Sequence, residues 1–398
     1  MTLITRTYRT PQKLVTTCCE FNLMEVHPSQ GKKSIKESTG IARSNESHTL
    51  SLCEIKEDDL DLERQVRTMN KPSIKTFMTK EGDTIDCVDI NKQPALDHPL
   101  LKDHKVQIEP NLHVTSLHRT SSNAKSVRFG LKEPCPTGTV PIHRVTKEDL
   151  IRVVSLTDNM IENIKYGGGG RTTVYNLTVA HDQFSTHNMW IETGPLEHIS
   201  MIVVGWMVSP QLYGSTLPHM FTYWTGDGHR NGCYNVLCPG FVQVDRRLTP
   251  SDPLRHSSTY GGQQYDVTIH IVQDRDTGNW WLIGTDQSII VGYWPKELFL
   301  NLRNGSLHIA WGGVGVAGSN GLCPPMGSGH QPDGNILHAT VFQRLHWVRS
   351  DGKSLPPSDK MTEWVDRSNV YGLINHRDSL YGTGYMISFG GLGGYCKV

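Results

Sequence analysis

The feature that most constrains this chain is where its glycines and large aromatics fall. All nine tryptophans lie between Trp190 and Trp364, twelve of the thirteen tyrosines lie from Tyr166 onward, and 33 of the 38 glycines follow Lys165. A region that must bury many indoles and also turn often is suited to short strands stacked face to face. The aromatics then fill the layer between sheets, and the glycines make the turns. The first 165 residues are poor in both and richer in Lys, Glu and Asp. The sequence therefore divides near the glycine run 167–170, which lacks the lysine of a phosphate loop and reads as a flexible linker.

Period-two patterning agrees with a β reading downstream. Tyr265, Val267, Ile269 and Ile271 alternate with Asp266, Thr268 and His270, and Leu307, Ile309 and Trp311 alternate with Ser306, His308 and Ala310. The polar run 274–279 predicts a hairpin turn into a strand over 280–283. Residues 166–398 are thus expected to form a mainly β, antiparallel β-sandwich domain. Residues 1–50 are polar and unpatterned and are expected to be disordered. Residues 51–165 read as a smaller α+β segment. It has a helix over 55–70 stopped by Pro72, short strands at 74–78 and 85–90, and a second helix over 147–163.

Charge and motifs exclude several function classes. Lys and Arg together number 39, as do Asp and Glu, so there is no electrostatic case for nucleic acid or an anionic membrane. No stretch approaches the roughly 18 apolar residues of a membrane span. Residues 1–30 carry Lys13, Glu20 and Glu25 and no continuous apolar run, so no secretory signal is read there. Three sequons nevertheless occur, at Asn45, Asn176 and Asn304, and these matter only in the secretory route. Nine cysteines leave at least one unpaired if the rest are oxidised. Cys233-x4-Cys238, with no second pair to complete a zinc site, reads as a local disulfide. No His-Glu-x-x-His, Gly-x-Ser-x-Gly or phosphate-loop motif is present, and neither a cofactor nor a metal is expected. Asp276-Thr277-Gly278 has the letters of an aspartic-peptidase motif, but it occurs once and in a polar turn. That chemistry needs two facing carboxylates on apolar strands. His330, in Met326-Gly327-Ser328-Gly329-His330, has no identifiable nucleophile or metal partner and reads as structural or exposed.

Longer motifs say more. Gly205-Trp206-Met207-Val208-Ser209-Pro210 is followed by Phe221-Thr222-Tyr223-Trp224, Gly232-Cys233-Tyr234-Asn235 and Cys238-Pro239-Gly240-Phe241-Val242. Then come Gly278-Asn279-Trp280-Trp281, Gly292-Tyr293-Trp294-Pro295, Trp311-Gly312-Gly313 and the run ending at His330. In order and spacing, from about Tyr166 to Val398, this resembles the catalytic domain of the neprosin family. Asn70-Lys71-Pro72, Gly82-Asp83-Thr84-Ile85-Asp86-Cys87, Lys92-Gln93-Pro94-Ala95 and Cys135-Pro136-Thr137-Gly138 resemble that family's activation peptide. The resemblance implies a secreted, acid-acting glutamic endopeptidase cutting after proline. It implies a zymogen whose pro-segment packs on the sandwich and covers the cleft until removed, with Cys87 paired to Cys135.

The resemblance also locates the catalytic pair. One glutamate lies three residues before the Trp of Gly-Trp, and the other directly follows Trp-Gly-Gly; here these positions are Val203 and Val314. In such a pair one ionised carboxylate takes a proton from the attacking water, and the other polarises the carbonyl or protonates the amine. Valine does neither. Glu192, Glu197 and Asp333 lie near these motifs but match neither position. Ser215 stands where the family has Asp, and Cys396 lacks the family's earlier partner, leaving Cys323 as an open alternative. The sequence thus leads to a non-catalytic homologue holding proline-rich peptides between aromatic walls. An active proline-directed endopeptidase of the secretory route and a relic without activity are the alternatives.

Overall fold

In the computed structural model, residues 70–395 are described except 81–82, 113–124, 128, 145–163, 229–230, 285–288, 358–360 and 379–383. The expected disorder over 1–50 and the helices expected at 55–70 and 147–163 lie outside the described residues. In chain order the strands of the N-terminal part are β1 (Ser73–Met78), β2 (Thr84–Asp89), β3 (Lys125–Ser126) and β4 (Thr139–His143). They continue as β5 (Gly167–Thr173), β6 (Phe184–Thr193), β7 (Ser200–Val208), β8 (His219–Thr225), β9 (Gly232–Tyr234) and β10 (Val242–Gln243). Then follow β11 (Tyr265–Gln273), β12 (Trp280–Gly284), β13 (Ile289–Trp294), β14 (His308–Val316) and β15 (Leu322–Cys323). The last are β16 (Thr340–Val348), β17 (Ser354–Leu355), β18 (Gly372–Asp378), β19 (Tyr385–Gly390) and β20 (Gly394–Tyr395).

Two sheets make the sandwich. The larger runs β10-β13-β12-β11-β5-β16-β19-β18, with β17 on β16 and β3 on β11; the smaller runs β14-β6-β7-β8-β9. Alternation decides which side chains meet between them. Val267, Ile269 and Ile271 of β11 join Met189 and Ile191 of β6 and Ile202, Val204, Trp206 and Val208 of β7 in one core, all below a tenth exposed. Two indoles cross the layer and satisfy their N–H groups on β5: Trp206 Nε1 donates to Thr173 O at 3.1 Å and Trp311 Nε1 to Gly169 O at 3.2 Å. The predicted hairpin forms, with the Gly278 N–H on Asp274 O at 2.7 Å, and carries the chain from β11 into β12.

The glycine run 167–170 is not a linker. It is the first half of β5, paired on one side to β11 and on the other to β16. Glycine is required there by proximity. A Cβ on Gly168 would stand 2.1 Å from Ile309 Cδ1 and 2.7 Å from His346 O, and one on Gly169 would stand 2.1 Å from His270 Nδ1 and 2.7 Å from Ile269 O.

The N-terminal part forms the antiparallel sheet β1-β2-β4, closed by a disulfide between Cys87 and Cys135. It packs on the larger sheet: Ala95 joins Val242, Trp281 and Tyr293 in a buried cluster, and β3 runs parallel to the start of β11.

Candidate functional site

Every strand of the smaller sheet has one side in the core and one on the outer face. On β7 the core takes Ile202, Val204, Trp206 and Val208, which leaves Met201, Val203, Gly205 and Met207 outside. On β14 the core takes Trp311, which leaves His308, Ala310, Gly312, Val314 and Val316 outside. Val203 and Val314 therefore share the outer face. Val203 pairs with Trp190 of β6, and Val314 pairs with Thr186 of the same strand. One strand separates them across the sheet and four residues along it, about 10 Å by about 13 Å if the sheet were flat.

Between the two valines lies Asn188, 2% exposed, in register with Gly205 on one side and Gly312 on the other. The Val314 N–H donates to Thr186 Oγ1 at 3.1 Å, and that hydroxyl donates to Asn188 Oδ1 at 2.6 Å. The Trp190 ring covers Gly312, where an added Cβ would stand 3.8 Å from it. Its buried indole N–H has no hydrogen-bond partner among the described residues. The floor is thus a buried amide and a half-buried indole set between glycines.

Beyond Val203 the face turns aromatic. Met201, Met207, Phe221, Tyr223 and Tyr234 form a second buried cluster, with Val203, Phe184, Leu212 and Tyr213 packed against it. Ser209 caps the single helical turn Pro210–Tyr213 by accepting the Leu212 N–H at 3.3 Å, and Gly214 ends it at φ +60°. The turn lays the Tyr213 ring flat on His219, centroids 4.1 Å apart. Asn235 ties these parts together. Its Oδ1 accepts the Thr222 N–H at 2.9 Å and its Nδ2 donates to Tyr213 Oη at 3.2 Å. The loop that follows it is closed by a disulfide between Cys233 and Cys238. Burial pushes the Tyr223 hydroxyl up to about 12, so it stays protonated.

Behind the floor, His187 of β6 lies between Trp206 and Phe389, with centroids 4.2 and 4.8 Å away, and accepts the Gly327 N–H on Nε2 at 2.9 Å. Complete burial lowers its pKa to about 3, so the imidazole is neutral, and it belongs to packing.

Carboxylates are scarce here. The five strands contain one, Glu192, which is 2% exposed, faces outward and stands opposite His308 and Met201. It is a diagonal neighbour of Val203, about 7–8 Å away at Cα. It lies six residues along β6 from the residue paired with Val314, about 20 Å. Glu197 is exposed in the turn before β7. Asp333 accepts from His338 Nδ1 at 2.8 Å and lies outside these strands. Ser215 accepts the Leu217 N–H at 3.1 Å. His330 is exposed, its Nδ1 3.1 Å from Ser328 O, and Asp276 lies in the hairpin turn. Cys323 is disulfide-bonded to a partner outside the described residues. Asn176 and Asn304 are exposed, while Asn45 is not described. Among the described residues no group of three or more His, Cys, Asp or Glu is placed to hold a metal. Sequence reasoning passed over Thr186, Asn188 and Trp190; the available signal was their alternation with His187, Met189 and Ile191.

Two models of known families match the chain, Neprosin over residues 181–392 and the Neprosin activation peptide over 76–172. Among solved structures it is similar to scytalido-glutamic peptidase with a transition state analog inhibitor, at 13% identity and TM-score 0.33, covering 58% of this chain and 94% of that one. It is also similar to the same peptidase with a peptide-based transition state analog, at 12% identity and TM-score 0.31, with the same coverage. With one family model spanning more than half its length and a second covering the segment before it, the chain belongs to the neprosin family.

Proposed function

We propose that this is a non-catalytic member of its glutamic peptidase-like family that binds proline-rich peptides on the outer face of the smaller sheet. The observation that carries this is the carboxylate count on that face: valine at 203 and 314, and Glu192 as the only acid on five strands. A two-carboxylate mechanism needs both groups at one peptide bond, and Glu192 has no second acid within reach on the sheet. The binding half rests on what remains. The half-buried Trp190 and Tyr213 rings, backed by the buried Asn188 amide and the Tyr223 and Tyr234 rings, suit an extended peptide whose pyrrolidine rings lie on aromatic faces. The exposed Asn176 and Asn304 would accept glycans if the chain enters the secretory route.

Digestion of a proline-rich peptide at acidic pH, followed by mass spectrometry, tests the first half. No cleavage above buffer is expected, and turnover comparable to an active relative refutes it. Calorimetric titration with the same peptide tests the second. Saturable binding that weakens when Trp190 is replaced by Ala is expected, and its absence leaves the relic.

A further inference from the structure

We infer that residues 70–144 are an integral part of the folded protein, which would stay docked on the sandwich even if the chain were cut between Arg144 and Ile164. This departs from the expectation that the pro-segment leaves, and it is independent of whether the cleft binds a peptide. The contact has the character of a protein interior. Val88, Leu101, Val127, Val140 and Ile142 lie in the same core as the indoles of the sandwich, and each is below a tenth exposed. Trp281 and Tyr293, ring centroids 4.5 Å apart, are 0% exposed beside Ala95, with Leu96 and Val106 packed against them. Baring two such rings would free an apolar patch of the size that soluble monomers seldom carry.

The polar contacts are equally committed. Gln93 Nε2 donates to Gln243 O at 3.0 Å while the Gln243 N–H donates to Gln93 Oε1 at 2.7 Å, a reciprocal amide pair with both side chains at or below 1% exposure. Arg246 Nε donates to Cys135 O at 2.7 Å, and the Cys135 and Leu131 N–H groups return bonds to Arg246 O and Arg247 O at 2.8 and 2.9 Å. Tyr293 Oη accepts the Gln107 N–H at 2.9 Å and lies 2.8 Å from His104 Nε2. Val127 adds itself to the larger sheet through a bond to Asp266 O at 2.7 Å. Removing the segment would exchange these bonds for bonds to water at a modest net cost each, and would bare the apolar surface that they frame.

The test places a specific protease site between Arg144 and Ile164 in the full chain. A Cys323→Ser background removes the one disulfide whose other half lies outside the described residues. After cutting, a denaturing non-reducing gel should show two fragments, while size-exclusion chromatography in native buffer should show one peak at the uncut position. Adding Gln93→Ala should lower the denaturant concentration at which the fragments part. Separation of the fragments in native buffer, with a soluble sandwich that keeps its near-ultraviolet circular dichroism, overturns the inference.

Discussion

Replacing Gly169 by Ala is the sharpest test of how the large sheet is built. In a linker the change would be neutral, or would stabilise by up to about 1 kcal/mol through the unfolded chain. In β5 the added Cβ meets Ile269 O at 2.7 Å and the His270 ring at 2.1 Å. The first contact is about 0.6 Å short of the roughly 3.3 Å at which a carbon rests on a carbonyl oxygen. It is backbone in a paired strand and yields only if the sheet opens. The second is a ring that is itself 2% exposed and has little room to turn. Overpacking of this kind costs about 1–3 kcal/mol, so the variant should lose about 2 kcal/mol and melt several degrees lower. Gly312→Ala is the control. Its Cβ would meet nothing nearer than the Trp190 ring at 3.8 Å, an ordinary contact, so stability should change by no more than about 0.5 kcal/mol. Thermal and denaturant unfolding of both variants read the difference. A Gly169→Ala protein as stable as its parent would refute the close approach.

Two further outcomes are expected. Asp252 is buried beside His143, Arg255 and Asp83, and burial pushes its carboxyl up to about 7 against an ordinary 3.8, so the folded protein holds this proton more tightly than the unfolded chain does. Stability from this group is therefore full below about pH 4 and lost as pH rises through about 7. Asp252→Asn should flatten that slope and gain a few kcal/mol at most at neutral pH, measured as unfolding free energy against pH; an unchanged slope contradicts the assignment. If the proposed reading of positions 203 and 314 holds, placing acids at both in a Val203→Glu, Val314→Glu protein should raise acid-pH cleavage of a proline-rich peptide by at least about 100-fold over the parent, with neither single variant doing so. A double variant no faster than the parent would contradict the reading of these two positions as the site of a carboxylate pair.

Much of the large sheet could be read from the sequence because its strands state their own pattern. β11 alternates by twos, and the turn at 274–279 has the polar residues a hairpin uses. β5 could not be read that way. Four glycines have no side chains to show a period, and their strand identity is imposed by His270, Ile309 and the β16 backbone closing around them. The outer face was half legible. The motifs pointed to positions 203 and 314, and the register of β6 puts both on one side of one sheet, two rows either side of Asn188. β6 mixes Thr, His, Asn and Met on both faces, because His187 is buried neutral in the core while Thr186 and Asn188 bond sideways to each other, and a hydrophobicity pattern is blind to both.

That strand also bears on how such a protein can change over time. Consecutive residues of β6 answer to two surroundings: Met189 and Ile191 to the core between the sheets, Asn188 and Trp190 to the outer face. A shift of the backbone on one side is passed directly to the other. The outer face therefore keeps its shape whatever chemistry it carries, because that shape is the back of the packing that holds the molecule together.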